Sequence, residues 1–262
     1  IVSKNQIISD LHIHSKYSRG CSTNLDIDNL EKYAKIKGVD LLGTGDFTHP
    51  IWQKELKKKL INNDNTQIPT TKSGFPFLYQ TELSLIYSSN GKGRRIHNVV
   101  LAPSFDVVNQ ITDELKKRGR VDYDGRPIFK IPCPEFVEML RSISKDIEVI
   151  PAHIWTPHFS LFGEYNQFNT VEECFEDQTK HIHALETGLS SDPPMNWRVS
   201  AIDRFNLVSF SDCHSYWPWR IGRESTIFNV KKLTYKNILS AIRTPFTKGK
   251  KEGNFISETI EV

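Results

Sequence analysis

Cysteine is scarce and scattered in these 262 residues: Cys21, Cys133, Cys174 and Cys213 stand far apart, with no Cys-x-x-Cys pair. That argues against a disulfide framework or a cysteine zinc knot and fits free thiols in a reducing, cytoplasmic setting. Long apolar runs are missing too. Nothing approaches the length needed to span a bilayer and nothing reads as a signal peptide, so no membrane partner is expected. Neither sign of charge dominates: 34 Lys and Arg oppose 31 Asp and Glu, a formal net +3 that permits nucleic-acid binding without arguing for it. With no internal repeat, coiled-coil heptad, low-complexity tract or evident linker, residues 1–262 read as one domain. The first residue is Ile1 rather than Met, and the expectation is a portion of a longer protein.

What is present is an alternation of short β-rich runs and amphipathic stretches, which predicts an α/β architecture with mainly parallel strands. A strand over 6–9 precedes a helix from about 25 that stops at Gly38. A strand over 39–42 leads to the Gly43-Thr44-Gly45-Asp46 turn and a lysine-bearing helix over 52–60. Strands over 77–87 and 96–101 flank a basic turn, and the polar stretch 116–126 reads as an exposed loop. A helix opening near Pro134, a strand over 147–150, a helix over 171–179 and a strand over 182–185 follow. The chain then predicts a helix over 197–204, a strand ending near Asp212, and a last helix over 238–242.

Two of these strands end in a distinctive way. The first runs into Asp10-Leu11-His12-Ile13-His14-Ser15, and the one ending near 210 runs into Ser211-Asp212-Cys213-His214. Alternate residues of an extended chain share a face, so His12 and His14 point together, as do Asp212 and His214. Asp46, Glu82, His97, His153 and Glu186 likewise fall just after or within apolar β runs. In a parallel α/β barrel the strand C-termini open on one face, which gathers such groups into one pocket. Imidazoles mixed with carboxylates suit Zn²⁺, Mn²⁺ or Fe²⁺, with Mg²⁺ as an activator. A carboxylate among them can bridge two ions, and two adjacent ions can bind a phosphate ester and activate water. The predicted metal set is therefore His12, His14, Asp46, Glu82, His97, His153, Asp212 and His214, with Asp212 the catalytically critical member. For Glu186, support behind a ligand, ligation and substrate contact all stay open; it is assigned to the substrate side. His158, His181 and His183 read as structural.

These motifs resemble the PHP (polymerase and histidinol phosphatase) superfamily of metal-dependent phosphoesterases. The resemblance implies a distorted (β/α)7 TIM-like barrel with two or three divalent metal ions. It implies ligand roles for His12, His14, Glu82, His97, His153, Asp212 and His214, with Glu82 bridging. Longer runs are similar to the endonuclease Q family. They are Pro151-Ala152-His153-Ile154-Trp155-Thr156-Pro157, Glu186-Thr187-Gly188-Leu189-Ser190-Ser191-Asp192-Pro193, Met195-Asn196-Trp197-Arg198 and Trp217-Pro218-Trp219-Arg220-Ile221-Gly222-Arg223-Glu224. That resemblance covers nearly the whole chain. It implies a DNA-repair endonuclease that nicks 5′ to hypoxanthine, uracil or abasic sites. Two departures stand out. Phe47 follows Asp46 where most PHP proteins carry histidine, so a third ion would depend on Asp46 or His49. The cysteine-rich zinc-binding part of that family is also missing, and the chain reads as the catalytic domain alone.

The substrate expected is DNA. Base extrusion into an aromatic pocket would use Trp155 and Trp217, with Tyr216 and Trp219 nearby. Arg94, Arg95 and Arg220, with the Arg118/Arg120 loop, are predicted to meet phosphates. The competing readings are a small-molecule phosphomonoesterase of the histidinol-phosphatase kind and a non-catalytic PHP scaffold. Retention of all seven family-matched positions counts against the scaffold.

Overall fold

The computed structural model describes residues 5–166, 168–245 and 253–261. In chain order the elements are β1 (Gln6–Asp10), α1 (Ile27–Lys37), β2 (Leu41–Gly43), α2 (Pro50–Lys59), β3 (Phe77–Ser89) and β4 (Lys92–Ala102). Next come α3 (Phe105–Lys116), β5 (Ile128–Phe129), α4 (Cys133–Ile143), β6 (Glu148–Pro151), α5 (Val171–Phe175) and β7 (Ala184–Glu186). The last are α6 (Pro193–Asn196), β8 (Asn206–Val208), β9 (Ser225–Asn229), α7 (Tyr235–Arg243) and β10 (Phe255–Ile260). Among the described residues no helix is long and apolar enough to cross a membrane.

The main sheet runs β10-β9-β1-β2-β3-β4-β6, with β5 paired to β3 off that path, and β7 and β8 form a separate parallel pair. The expectation of mainly parallel strands needs correction. Only β1–β2, β2–β3, β3–β5 and β7–β8 are parallel; β3–β4, β4–β6, β1–β9 and β9–β10 are antiparallel. For β3–β4 the cause is local: Asn90, at φ 52, and Gly91, at φ 72, take the two left-handed conformations of a tight hairpin. The chain therefore turns straight back instead of crossing over through a helix.

The continuous ladder does not close into a ring. Its two gaps are spanned by isolated backbone bonds. The Ile154 amide donates to the Glu186 carbonyl at 3.0 Å, and the His14 amide donates to the Cys213 carbonyl at 3.3 Å.

Alternation along the strands sorts the apolar side chains. Leu41, Leu78, Val99, Leu101, Ile150 and Val208 face one way and pack with Tyr235, Ile238, Leu239 and Ile242 of α7. Leu42, Phe77, Tyr79 and Val100 face the other way, against α1 to α4. The first of these faces continues along β4 as Leu101, Val99, His97 and Arg95. It passes from a closed apolar end, where the Tyr235 hydroxyl donates to the Leu101 carbonyl at 3.1 Å, toward the polar cluster.

Several local expectations shift. α3 was not anticipated, although Ser104 caps it by accepting from the Val107 amide and Val108, Ile111 and Leu115 are buried at helical spacing. The helix over 197–204 is instead α6 followed by a 3-10 turn at Ser200–Ile202, because Asp192 caps and Pro193 starts the helix earlier. The helix over 171–179 tightens to 3-10 after Phe175, where Glu176 sits at φ 49.

Candidate metal centre

Glu82 stands at the middle of the site. It lies mid-strand on β3, not at a strand end, and is fully buried. Antiparallel register puts Ser84 opposite His97, so Glu82 and His97 are diagonal neighbours on one face. His97 Nδ1 is 2.7 Å from Glu82 Oε1, and His153 Nε2, just beyond β6, is 3.2 Å from the same oxygen. From the other side His12 Nε2 approaches Oε1 at 3.5 Å and His14 Nε2 approaches Oε2 at 3.4 Å. Asp212 Oδ1 completes that side, 2.9 Å from His14 Nε2 and 3.5 Å from His12 Nε2. Two donor sets result, His12–His14–Glu82–Asp212 and Glu82–His97–His153, each with ligand atoms within 4.8 Å of one another.

The ring nitrogens turned away from the cluster are held in place. His12 Nδ1 is 2.8 Å from Glu186 Oε1, His14 Nδ1 is 3.1 Å from Asp46 Oδ1, and His153 Nδ1 is 2.9 Å from Thr156 Oγ1. With the proton on each outer nitrogen, the three inward Nε2 atoms present lone pairs. His12 Nε2 is buried with no hydrogen-bond partner, a costly arrangement unless a cation is its partner.

Electrostatics points the same way. Glu82, Asp212, Glu186 and Asp46 bring four carboxylates into or just behind the cluster, and Arg126 is the fixed cation among them. Burial opposes charge on His12, yet the Glu186, Glu82 and Asp212 carboxylates outweigh it and hold its imidazolium well above the usual range. Burial likewise opposes charge on His14, but bonds to Asp212 and Asp46 raise it to about 9. Burial would raise Asp212, but the charges of His12 and His14 pull it well below the carboxylate range. Burial wins at His97, which drops to about 4. In short, the pocket stabilises positive charge. The donors present fit divalent cations of the Zn²⁺, Mn²⁺ or Fe²⁺ type.

Backbone strain concentrates here. Asp46, His153 and Asp212 adopt left-handed φ values of 43°, 31° and 47°. Gly45, at φ 65, lies so close that a Cβ would come within 2.8 Å of the His14 carbonyl carbon. Asp10 anchors the two motifs to each other: it accepts from the Ser211 amide at 3.0 Å, the Ser211 hydroxyl at 2.5 Å and the Gly222 amide at 2.9 Å.

The structure separates the predicted residues. His12, His14, Glu82, His97, His153 and Asp212 come together. Asp46 stands behind His14: Oδ1 meets His14 Nδ1, and Oδ2 accepts from the Ser15 amide and the Ser15 and Ser18 hydroxyls. His49 caps α2 and stacks on Tyr17 with ring centroids 4.4 Å apart, so neither residue builds a third donor set among the described residues. His214 lies at the rim. Its ring centroid is 4.7 Å from that of His14, and its Nδ1 donates to the Asp212 carbonyl at 2.8 Å.

Of the three roles open for Glu186, the contacts match support behind a ligand. Glu186 is fully buried, engages His12 Nδ1 and accepts from the His153 amide at 2.7 Å. Glu186→Gln is expected to weaken Mn²⁺ binding roughly 10- to 100-fold, measured by calorimetric titration, because it loosens His12 and His153 together. Unchanged affinity would reduce it to a packing residue.

Arg94 lies inside the fold. It is 5% exposed, donates to the Asn166 carbonyl and stacks on Phe168 at 4.0 Å, so its guanidinium faces the interior rather than the surface. Arg95, its neighbour on the opposite strand face, is exposed. Arg118 and Arg120 pair internally with Glu114, Glu135 and Asp122. Trp155 is half-buried, with Nε1 donating to Asn196 Oδ1 at 2.8 Å and its ring on Phe162, so it packs the rim. Trp217 and Trp219, 39% and 61% exposed, stack in parallel with centroids 5.1 Å apart. A cleft of about 440 Å³ opens onto Asp212 and His214 and is lined further by Gly20, Leu189, Arg220 and Arg223.

Arg126 is the residue sequence reasoning missed. It ends the stretch 116–126 that reads as an exposed loop, yet its Nη1 stands 3.1 Å from Glu82 Oε2. Only the pairing of β5 with β3 reveals this.

The fold is shared by a known structure. The lesion-specific endonuclease of Pyrococcus furiosus, PfuEndoQ, superposes with a TM-score of 0.84 at 30% identity, covering 98% of this chain and 59% of that one. The chain is endonuclease Q-like. Endonuclease Q in complex with a 27-mer duplex carrying an abasic lesion at its active site matches equally, with a TM-score of 0.84 at 31% identity over 98% of this chain and 60% of that one. Two uncharacterised proteins align as well. MJ0043 of Methanocaldococcus jannaschii is 35% identical over 163 residues, 62% of this chain and 18% of that protein. YqxK of Bacillus subtilis is 27% identical over 256 residues, 91% of this chain and 62% of that protein. The endonuclease Q-like chain thus spans about three fifths of the endonuclease Q and YqxK sequences and a fifth of MJ0043. No protein-family model matches it.

Proposed function

We propose that this chain is a metal-dependent hydrolase that cleaves the DNA phosphodiester 5′ to a lesion, namely hypoxanthine, uracil or an abasic site. The observation that carries the reading is Glu82, one buried carboxylate within 3.5 Å of four imidazole nitrogens from both donor sets. His12, His14, Glu82 and Asp212 would hold one ion, and Glu82, His97 and His153 a second. Zn²⁺, Mn²⁺ or Fe²⁺ bound there would supply Lewis-acid activation of water and neutralise phosphate charge.

The chain's own residues do the rest. Glu186, Asp46 and Thr156 hold protons on the outer nitrogens of His12, His14 and His153 and fix the rings in aim. The cleft beside Asp212 and His214 admits the strand, with Arg220 and the exposed Arg95 attracting its backbone and Trp217 offering a face for a base. In this reading β1, β2, β3, β4, β6, β7 and β8 are the seven positions of a distorted PHP barrel. The DNA substrate and the four free cysteines suit a cytoplasmic setting.

The test is incubation with Mn²⁺ and duplexes bearing one hypoxanthine, uracil or abasic site, with the break mapped on a gel. A nick immediately 5′ to the lesion is expected, abolished by chelation. Hydrolysis of a simple phosphomonoester without nicking would replace this reading by the phosphomonoesterase one.

A further inference from the structure

Among the described residues, Arg126 is the lysine or arginine whose side chain contacts a member of the two donor sets. Its placement is built from several directions. β5 runs parallel to β3 with Ser84 opposite Ile128, and carrying that register back two residues sets Arg126 beside Glu82. The Ser84 amide donates to the Pro127 carbonyl at 3.2 Å. Asp124 accepts from the Arg126 amide at 3.1 Å and the Arg19 amide at 3.3 Å. Gly125 donates to the Tyr17 carbonyl at 2.9 Å. A Cβ on Gly125 would stand 2.3 Å from Asp46 Oδ2 and 2.5 Å from Ser18 Oγ, so a larger residue here would displace the side chains that back His14.

A guanidinium carries five N–H donors in a planar fork. Glu82 is the hydrogen-bond partner of the Arg126 side chain among the described residues, and the side chain is 23% exposed. It therefore has donors to spare on a side that solvent reaches. A fork of permanent charge matches a phosphate oxygen pair in a way that a lysine ammonium does not.

We propose that Arg126 is the anion-binding residue of this site: it grips a non-bridging oxygen of the substrate phosphate, and it holds Glu82 as an ion pair until cations take that carboxylate over. The proposal rests on the phosphodiester reading above. Arg126 and the cations compete for Glu82, and this distinguishes the role from mere support. If Arg126 only propped Glu82, its loss would weaken ion binding; under competition its loss leaves ion binding intact or tightens it.

The experiment titrates Mn²⁺ into ion-free wild type, Arg126→Ala and Arg126→Lys, then titrates inorganic phosphate into each Mn²⁺-loaded protein. Arg126→Ala is expected to bind Mn²⁺ at least as tightly as wild type and phosphate roughly 10-fold more weakly or worse. Arg126→Lys should fall between, keeping the charge and losing the fork. Weakened Mn²⁺ binding in Arg126→Ala, or unchanged phosphate affinity, overturns the proposal. Wild-type nicking of an abasic duplex, run in parallel, separates the two readings. No nicking with Arg126-dependent phosphate binding removes the DNA reading alone. Nicking with Arg126-independent phosphate binding removes the role of Arg126 alone. A wild type that takes up no Mn²⁺ overturns both.

Discussion

Asp212→Asn is expected to cut nicking on the order of 10³-fold or more while leaving the melting temperature of the ion-free protein close to wild type. Asp212 Oδ1 is the anionic atom facing both His12 and His14, at 3.5 and 2.9 Å. Asparagine keeps the size, one carbonyl oxygen and tolerance of the φ of 47° found there, and loses only the charge. The side chain is 26% exposed, so water screens what the mutation uncovers and the fold loses little. Asp212→Ala should lose as much activity and add about 1 kcal/mol or more of backbone cost at that φ. Single-turnover nicking together with thermal melts checks both. Retained cleavage by either variant would remove Asp212 from the centre of the chemistry.

Glu82→Gln should behave differently because the same charge deletion occurs in full burial. Both donor sets share this carboxylate, so Mn²⁺ uptake should fall in both at once rather than in one. Nicking should drop at least as far as in Asp212→Asn. The ion-free fold should also suffer, by about 3–5 kcal/mol, since Arg126 and the charged imidazoles lose the anion that compensates them. Denaturant unfolding and calorimetric stoichiometry report on the two effects separately. A Glu82→Gln protein of wild-type stability that still takes up Mn²⁺ would show that the two sets do not depend on one shared oxygen pair.

The first-strand and last-strand motifs were legible because the two-residue repeat of extended chain forces His12 with His14 onto one face. Glu82, His97 and His153 were legible from the apolar runs around them, although Glu82 and His97 reach the site from mid-strand in a hairpin. What the sequence could not separate was a carboxylate facing the cluster from one standing behind a histidine. Asp46 follows a short strand and Glu186 ends one, both fully buried, and what distinguishes them from Asp212 is the ring nitrogen each meets: the outer Nδ1 of His14 or His12 rather than an inward Nε2. Arg94 and Arg95 are adjacent letters, yet successive strand residues face opposite ways, so one is buried against Phe168 and the other meets solvent. Arg126 was invisible because a two-residue strand has no periodicity to read. The antiparallel partners β9 and β10 escaped for a related reason: nothing local in a short strand announces its neighbour.

The left-handed backbone at Asp46, His153 and Asp212 bears on how this protein can be altered. Each such residue stores on the order of 1–2 kcal/mol that a glycine would release. A search for hardier variants that scored melting temperature alone would find these three positions early. Every success there would delete a donor or the partner that aims one. The residues least comfortable in the fold are the ones around which the pocket is drawn, and gains in robustness have to come from elsewhere in the chain.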